Sequence, residues 1–250
     1  MVSLTSKAKP EELRAEDPPR TADFSISPAP VVWNLSGCLV LLLLLHVFVL
    51  TMNYGFGHDH MYGLSEIFNF GVEHSVPTLF ATLSLLICAL CFLLLYKAGE
   101  PGSHLRRVWM VLTLSFAFVT VDEYAVLHER LIRPVRDLFG FEGFLYFAWV
   151  LPYAIAAALL GAYVLPALWK LGRKYRLLFG SAAAFYLFGA IGVEMLGARY
   201  YESVNEQVDL TYRLYQTLEE VMEHTGVLIL IYTLLDLLRY RVGGVRLRFA

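Results

Sequence analysis

Two long runs of apolar residues constrain this chain more than any other feature of its sequence. VVWNLSGCLVLLLLLHVFVLTM at 31–52 and VPTLFATLSLLICALCFLLLY at 76–96 contain no charged residue. A helix of about 20 apolar residues spans the hydrocarbon core of a bilayer. Only 17% of all residues are charged, compared with roughly 25% in a soluble domain. The sequence therefore predicts a polytopic integral membrane protein.

Four further segments are apolar enough to span a bilayer, at 105–131, 144–169, 177–198 and 212–238. Every backbone polar group in lipid needs an internal partner, so spanning segments of this length are helices. We predict an all-α fold in which a bundle of six transmembrane helices forms one domain. The predicted domain covers 31–240, between a disordered cytoplasmic tail at 1–30 and a short basic cytoplasmic tail at 241–250.

The distribution of Lys and Arg predicts the orientation of this bundle. Fifteen of the 20 basic residues lie in the N-terminal tail, at the C-terminal end from Arg239 onwards, and in the connections at 97–107 and 170–176. Basic residues near span ends favour the cytoplasmic side. We therefore expect both termini in the cytoplasm (N-in, C-in) and place the protein in a bacterial inner (cytoplasmic) membrane.

Acidic residues and histidines gather on the opposite side of the predicted bundle. Fifteen of the 22 acids lie there, together with His58, His60, His74, His128 and His224. The orientation rule concerns Lys and Arg, and Asp and Glu contribute little to it. The one-sided gathering of carboxylate and imidazole therefore indicates a separate cause.

The end of the third span, VDEYAVLHER at 121–130, holds part of this gathering. Asp122 and Glu129 are seven residues apart, which places them on one face of a continuous helix. His128 is a possible neighbour, whereas Glu123 faces about 100° away from Asp122. An ordinary salt bridge between Glu129 and Arg133, four residues apart, is an equally good explanation of Glu129.

The fifth and sixth spans add acids at membrane depth. Glu194 is the only acid between 177 and 198, and a carboxylate in lipid normally faces the bundle interior. Glu220, Glu223 and His224 share one helical face. Two acids so close together repel each other unless a cation or a proton holds them. This triplet favours a functional site.

These groups predict a divalent metal site, with iron or zinc as the metal. The predicted ligands are His74, Asp122, His128, Glu129, Glu194, Glu220 and His224, with Glu223 as a catalytic proton donor or an outer-shell partner. Helical bundles that hold two metals use acids on every helix together with Glu-x-x-His pairs. That pair is absent here, so a single zinc with an open position for water is equally compatible.

Three functions remain open from the sequence. The first is a metal-dependent enzyme, an oxidoreductase or a hydrolase, that acts on a lipid or another hydrophobic substrate in the bilayer. The second is a proton- or cation-coupled transporter, although the cytoplasmic half of the spans holds no matching acid except Asp236. The third is a structural or haem-binding subunit, with axial ligands among His46, His74, His128 and His224. Nucleic-acid binding has no support, because the basic residues lie mostly in short turns.

Three further features have structural explanations. Cys88 and Cys91 form a CxxC inside LICALCFLL, where an accessible redox or zinc site is disfavoured, so we predict buried thiols that act as small hydrophobes. His46 stands alone in LLLLLHVFVL, and we predict a buried, hydrogen-bonded histidine. Ser75 and Pro77 in EHSVPT predict the start of the second spanning helix.

Overall fold

The structure of the protein is a computed structural model that describes residues 21–24, 27–58, 63–242 and 245–248. In this part of the chain six helices are long and apolar enough to cross a membrane, as in a multi-pass membrane protein: Pro28–Gly55, Val76–Ala98, His104–Ala125, Val150–Leu168, Arg173–Ser203 and Leu210–Arg241. The predictions of an all-helical bundle and of six helices of spanning length are confirmed.

Nine α-helices are described, and two of the spans contain a π-helical turn. The α-helices are α1 (Pro28–Leu50), α2 (Leu64–Phe68), α3 (Val76–Ala98), α4 (His104–Ala125), α5 (Ile132–Phe139), α6 (Val150–Leu168), α7 (Arg173–Leu187), α8 (Glu194–Ser203) and α9 (Leu210–Val242). π-Helical turns at Thr51–Gly55 and Phe188–Val193 extend α1 and join α7 to α8, and 3-10 turns occupy Glu129–Leu131 and Gly143–Leu145.

Local sequence sets where several helices begin. Ser75 caps α3 by accepting a hydrogen bond from the backbone amide of Thr78, 3.3 Å away, and a proline lies in the first turn as predicted. Ser103 caps α4 in the same way through the amide of Arg106. Each cap satisfies an amide that has no partner inside its own helix.

Helix α9 is the centre of the bundle. It packs against α1, α3, α7 and α8. It is also the most buried of the six helices of spanning length. These four helices therefore determine which side chains lie near the acids at the start of α9.

The core between α3 and α4 follows a helical period. Cys88, Cys91, Phe92 and Leu95 form a buried stripe on α3, and the ring of Phe92 packs 5.9 Å from that of Trp109 on α4. Both cysteines are free thiols in this core. The prediction that they act as small buried hydrophobes is confirmed.

His46 is completely buried and joins α1 to α9. The backbone amide of Phe70 donates to Nδ1 at 3.2 Å, so Nδ1 accepts and Nε2 carries the proton. Nε2 then donates to the hydroxyl of Thr217, 2.8 Å away. The prediction of a hydrogen-bonded core histidine is confirmed, and both ring nitrogens are occupied.

The described ends of the chain lie together. Strands β1 (Thr21–Phe24) and β2 (Val245–Arg248) pair in an antiparallel ladder, and they are the only strands within the described ranges. They fall in the segments predicted as tails at 1–30 and 241–250. Most other residues of the two predicted tails lie outside the described part of the chain.

Candidate carboxylate and histidine site

The third span ends earlier than the sequence predicts. Helix α4 stops at Ala125, and Val126 adopts a left-handed conformation with φ 52° and ψ 45°. The amides of Val126 and Leu127 both donate to the carbonyl of Asp122. A β-branched residue rarely adopts this conformation. The prediction of one helix through 131 is wrong, and the seven-residue spacing does not place Asp122 and Glu129 on one face.

The break brings His128 back onto Asp122. Oδ1 of the buried Asp122 accepts from the backbone amide of His128 at 2.8 Å and from the hydroxyl of Tyr153 at 3.0 Å. Oδ2 lies 3.2 Å from Nδ1 of His128, whose ring packs 4.8 Å from that of Trp149. Both carboxylate oxygens thus have partners within the protein. We interpret Asp122 as the residue that holds the break and orients His128.

The proximity of Asp122 changes the protonation of His128. Burial of the ring lowers its pKa, but the hydrogen bond and charge of Asp122, with the charges of Glu123 and Glu129, raise the pKa above its ordinary value overall. A histidine of this kind stabilises the fold fully below its unfolded pKa of about 6.5. That stabilisation is lost as the pH rises through the folded-state pKa.

Replacing Asp122 by asparagine is expected to lower the pKa of His128 and to destabilise the fold by about 1.5–3 kcal/mol at acidic pH, the usual contribution of a hydrogen bond to a charged group. The pKa is measured by NMR of labelled imidazole, and stability by thermal unfolding from pH 5.5 to 8. Tyr153→Phe removes one hydrogen bond but keeps the carboxylate, so the pKa of His128 stays high. An unchanged pKa in Asp122→Asn contradicts the assigned pairing.

Glu194 begins α8 directly after the π-helical turn at Phe188–Val193. The indole nitrogen of Trp149 donates to its Oε1 at 3.0 Å, and its carboxyl group lies within interaction range of Glu219 and His128. Gly189, in the turn, permits this approach, since a Cβ there would lie 2.8 Å from the carbonyl oxygen of Glu219. π-Helical turns frequently occur at functional sites. The predicted inward position of Glu194 agrees with these contacts.

A second group of acids lies at a narrow cavity between α3, α4, α7 and α9, which we call the inner cavity. Its polar lining residues are Ser84, Glu123, Tyr186, Glu223 and His224. The carboxyl groups of Glu123, Glu220 and Glu223 lie within electrostatic range of one another. In the described part of the chain, none of these acids forms an ion pair with Lys or Arg. Their charges therefore need protons or a cation for compensation.

His224 is oriented in the way that metal-binding histidines are. Its side chain is almost fully buried, with the residue 3% exposed, and Nδ1 donates to the carbonyl oxygen of Glu220 at 2.7 Å. Nε2 has no hydrogen-bond partner among the described residues, although the carbonyl of Pro77 lies near the ring. With the proton on Nδ1, the lone pair of Nε2 is available to a ligand.

Two of the predicted ligands lie elsewhere. His74 and Glu129 are exposed and line a separate surface cavity beside Tyr124 and Arg130. The alternative salt bridge between Glu129 and Arg133 is not among the ion pairs of the described residues. The structure therefore assigns Glu129 neither to the inner cavity nor to that pairing.

The sequence-predicted ligands do not form one ready centre. Within the described ranges, no three His, Cys, Asp or Glu side chains are grouped closely enough to hold a metal ion. The acids instead form two adjacent groups, one around Asp122, His128 and Glu194 and one around the inner cavity. Rotation of side chains toward His224 is required before a cation can be held there.

Glu123, Glu219 and Tyr186 are the residues that sequence reasoning missed. A usable signal existed for Glu123, because it continues a stripe that starts at the buried Leu112 and runs through the core-packed Phe116 and Val119. The steps along this stripe are those of one helical face. Extending the apolar face by one turn identifies Glu123 as an inward-facing acid.

Comparison with known proteins gives a family for this arrangement. A family model described as a domain of unknown function (DUF8692) matches residues 33–238. The chain belongs to this family. No curated protein and no solved structure matches this chain. The matched region contains every acid and histidine of the two groups, so the candidate site lies within the family domain.

Proposed function

We propose that the chain is a membrane enzyme that depends on a divalent metal, iron or zinc, and acts on a lipid or another hydrophobic substrate. The observation that carries this proposal is the state of His224. Its unpartnered Nε2 is buried in a ring that lines the same cavity as Glu123 and Glu223. Imidazole and carboxylate are common ligands of both metals.

The carboxylates and the imidazole in and beside the inner cavity are of the ligand types that such a cation binds, and their side chains would reorient to hold it. Glu123, Glu220 and His224 would hold it, and Glu223 keeps the predicted role of proton donor beside it. A divalent cation would also offset the repulsion among these acids, which form no ion pair with Lys or Arg in the described chain. When bound, zinc would activate water for hydrolysis, whereas iron would supply oxygen chemistry for hydroxylation or desaturation.

The orientation of the bundle is part of the same proposal. The positive-inside distribution of Lys and Arg supports cytoplasmic termini, in a bacterial inner membrane. With that orientation, the acids of α4 and those near the start of α9 lie in the outer half of the bilayer. Hydrophobic substrates would then reach the inner cavity laterally, from the lipid phase.

Two observations favour the enzyme over the alternatives. Asp236, the acid at the other end of α9, already binds Lys174 at 2.6 Å and Tyr175 at 3.0 Å, so it is poorly suited to continue a cation pathway. His46 is not available as an axial haem ligand, because both of its ring nitrogens are hydrogen-bonded.

Metal analysis of the purified full-length protein tests the proposal. We expect iron or zinc in stoichiometric amount, reduced at least tenfold in His224→Gln and Glu123→Gln. Glu129→Gln and His74→Gln are matched controls from the surface cavity, and they should retain the metal. Wild-type protein that binds neither metal after exposure to each would contradict the proposal. So would equal loss of metal in the two control variants.

A further inference from the structure

The break at Val126 opens a second cavity, at the end of the third span. This cavity has a volume of about 420 Å³ and is lined by His74, Tyr124, Ala125, Val126, Glu129 and Arg130. Sites for small molecules commonly have volumes of roughly 300–1,000 Å³. The apolar helix ends at Ala125, so in a bilayer that this helix spans the cavity would lie at the depth of the lipid headgroups.

The lining carries two opposite charges that the described residues leave unpaired. Glu129 and Arg130 are adjacent in the 3-10 turn, both are exposed, and neither is among the ion pairs of the described chain. Arginine binds phosphate through two parallel N–H groups. A carboxylate together with an aromatic face binds an ammonium group, and Glu129 and Tyr124 line the same cavity.

The neighbouring helix explains why a lipid is the fitting occupant. Helix α5 exposes large apolar side chains at Leu138 and Phe139, which are 75% and 60% exposed. The same helix carries Arg133 and Arg136. Short helices with an apolar side and a basic side lie in the interface of a bilayer. The cavity is therefore next to acyl chains as well as headgroups.

We propose that this cavity binds the headgroup of a zwitterionic phospholipid, with Arg130 on the phosphate and Glu129 and Tyr124 on the ammonium group. As a statement about the substrate of the enzyme, this inference rests on the proposed function. Binding itself requires no metal, so it can be measured on chelator-treated protein.

The test is lipid retention by the full-length protein, measured by native mass spectrometry. Chelator-treated protein is equilibrated with phosphatidylethanolamine and phosphatidylglycerol of the same acyl chains. Wild type is expected to retain phosphatidylethanolamine about tenfold better. Arg130→Gln is expected to lose at least tenfold of that retention, and Glu129→Gln to lose the preference between the two lipids. Arg133→Gln, an exposed arginine outside the cavity, should behave as wild type.

Several outcomes would overturn the inference. A wild-type preference for phosphatidylglycerol indicates attraction to anionic lipid alone. An equal loss in Arg130→Gln and Arg133→Gln indicates general surface charge. If Arg130→Gln does not fold, Arg130→Lys keeps the charge without the paired N–H groups, and unchanged retention in that variant contradicts the assigned phosphate contact. Loss of metal from a protein that still binds the headgroup removes only the proposed metal function.

Discussion

Replacing Gly226 by alanine is expected to destabilise the folded chain by about 3 kcal/mol, the upper end of what an overpacked core usually costs. A Cβ at this position would lie 2.7 Å from both the carbonyl oxygen of Ala182 and the amide nitrogen of Tyr186. Both are backbone atoms of α7, so no side chain can rotate away. Helices α7 and α9 would have to separate, and a helix-propensity gain of about 1 kcal/mol is too small to compensate.

Thermal unfolding of detergent-purified protein measures this effect. A loss of about 3 kcal/mol corresponds to a decrease in Tm of roughly 6–12 °C for a chain of this size. Gly180→Ala is the matched control, because it lies on α7 and a Cβ there meets no atom within 4 Å. That variant should retain or slightly raise the Tm. Equal values for the two variants would contradict the close approach of α7 and α9.

Glu123→Gln is expected to have opposite effects with and without metal. In chelator-treated protein it removes one of three acids in electrostatic range, so stability should rise by about 1 kcal/mol as charge repulsion decreases. Metal at a hundredfold excess over its Kd stabilises wild type by about 2.7 kcal/mol, and the variant should lose this stabilisation. The order of the two Tm values therefore inverts when metal is added.

Glu129→Gln distinguishes a metal centre at the inner cavity from the ligand set that the sequence predicts. Glu129 is a sequence-predicted ligand, but the structure places it in the surface cavity. It should therefore show the same metal-dependent rise in Tm as wild type. A Glu123→Gln variant that is less stable than wild type in chelator would show that Glu123 makes a structural hydrogen bond, and the proposed centre would lose a principal ligand.

The fold was largely predictable because its main determinants are local. Apolar length alone identifies the six spans, since a helix must satisfy its own backbone in lipid. The cap formed by Ser75 and the burial of His46 also follow from short segments. The sequence does not predict the end of the third span, because Val126 adopts a left-handed conformation that β-branched residues disfavour. Side-chain bonds from Asp122 to residues six and 31 positions away accompany this break.

The candidate site was predicted only in part for the same reason. Helical spacing correctly grouped Glu220, Glu223 and His224, which lie within two turns of one continuous helix. Spacing misplaced Glu129, because it assumed a helix that the structure interrupts at Val126. Glu123 on α4 and His224 on α9 line the same cavity, and no local pattern predicts that these two helices meet there.

Bilayer thickness and backbone hydrogen bonding act on each segment separately, so the apolar segments were enough to establish how many helices of spanning length there are and where most of them begin. The meeting of acids from α4, α8 and α9 around His128 and His224 depends on close helix contacts at Gly189 and Gly226 and on the interruption after Asp122. Those contacts join residues far apart in the chain, and they exist only after the helices have packed.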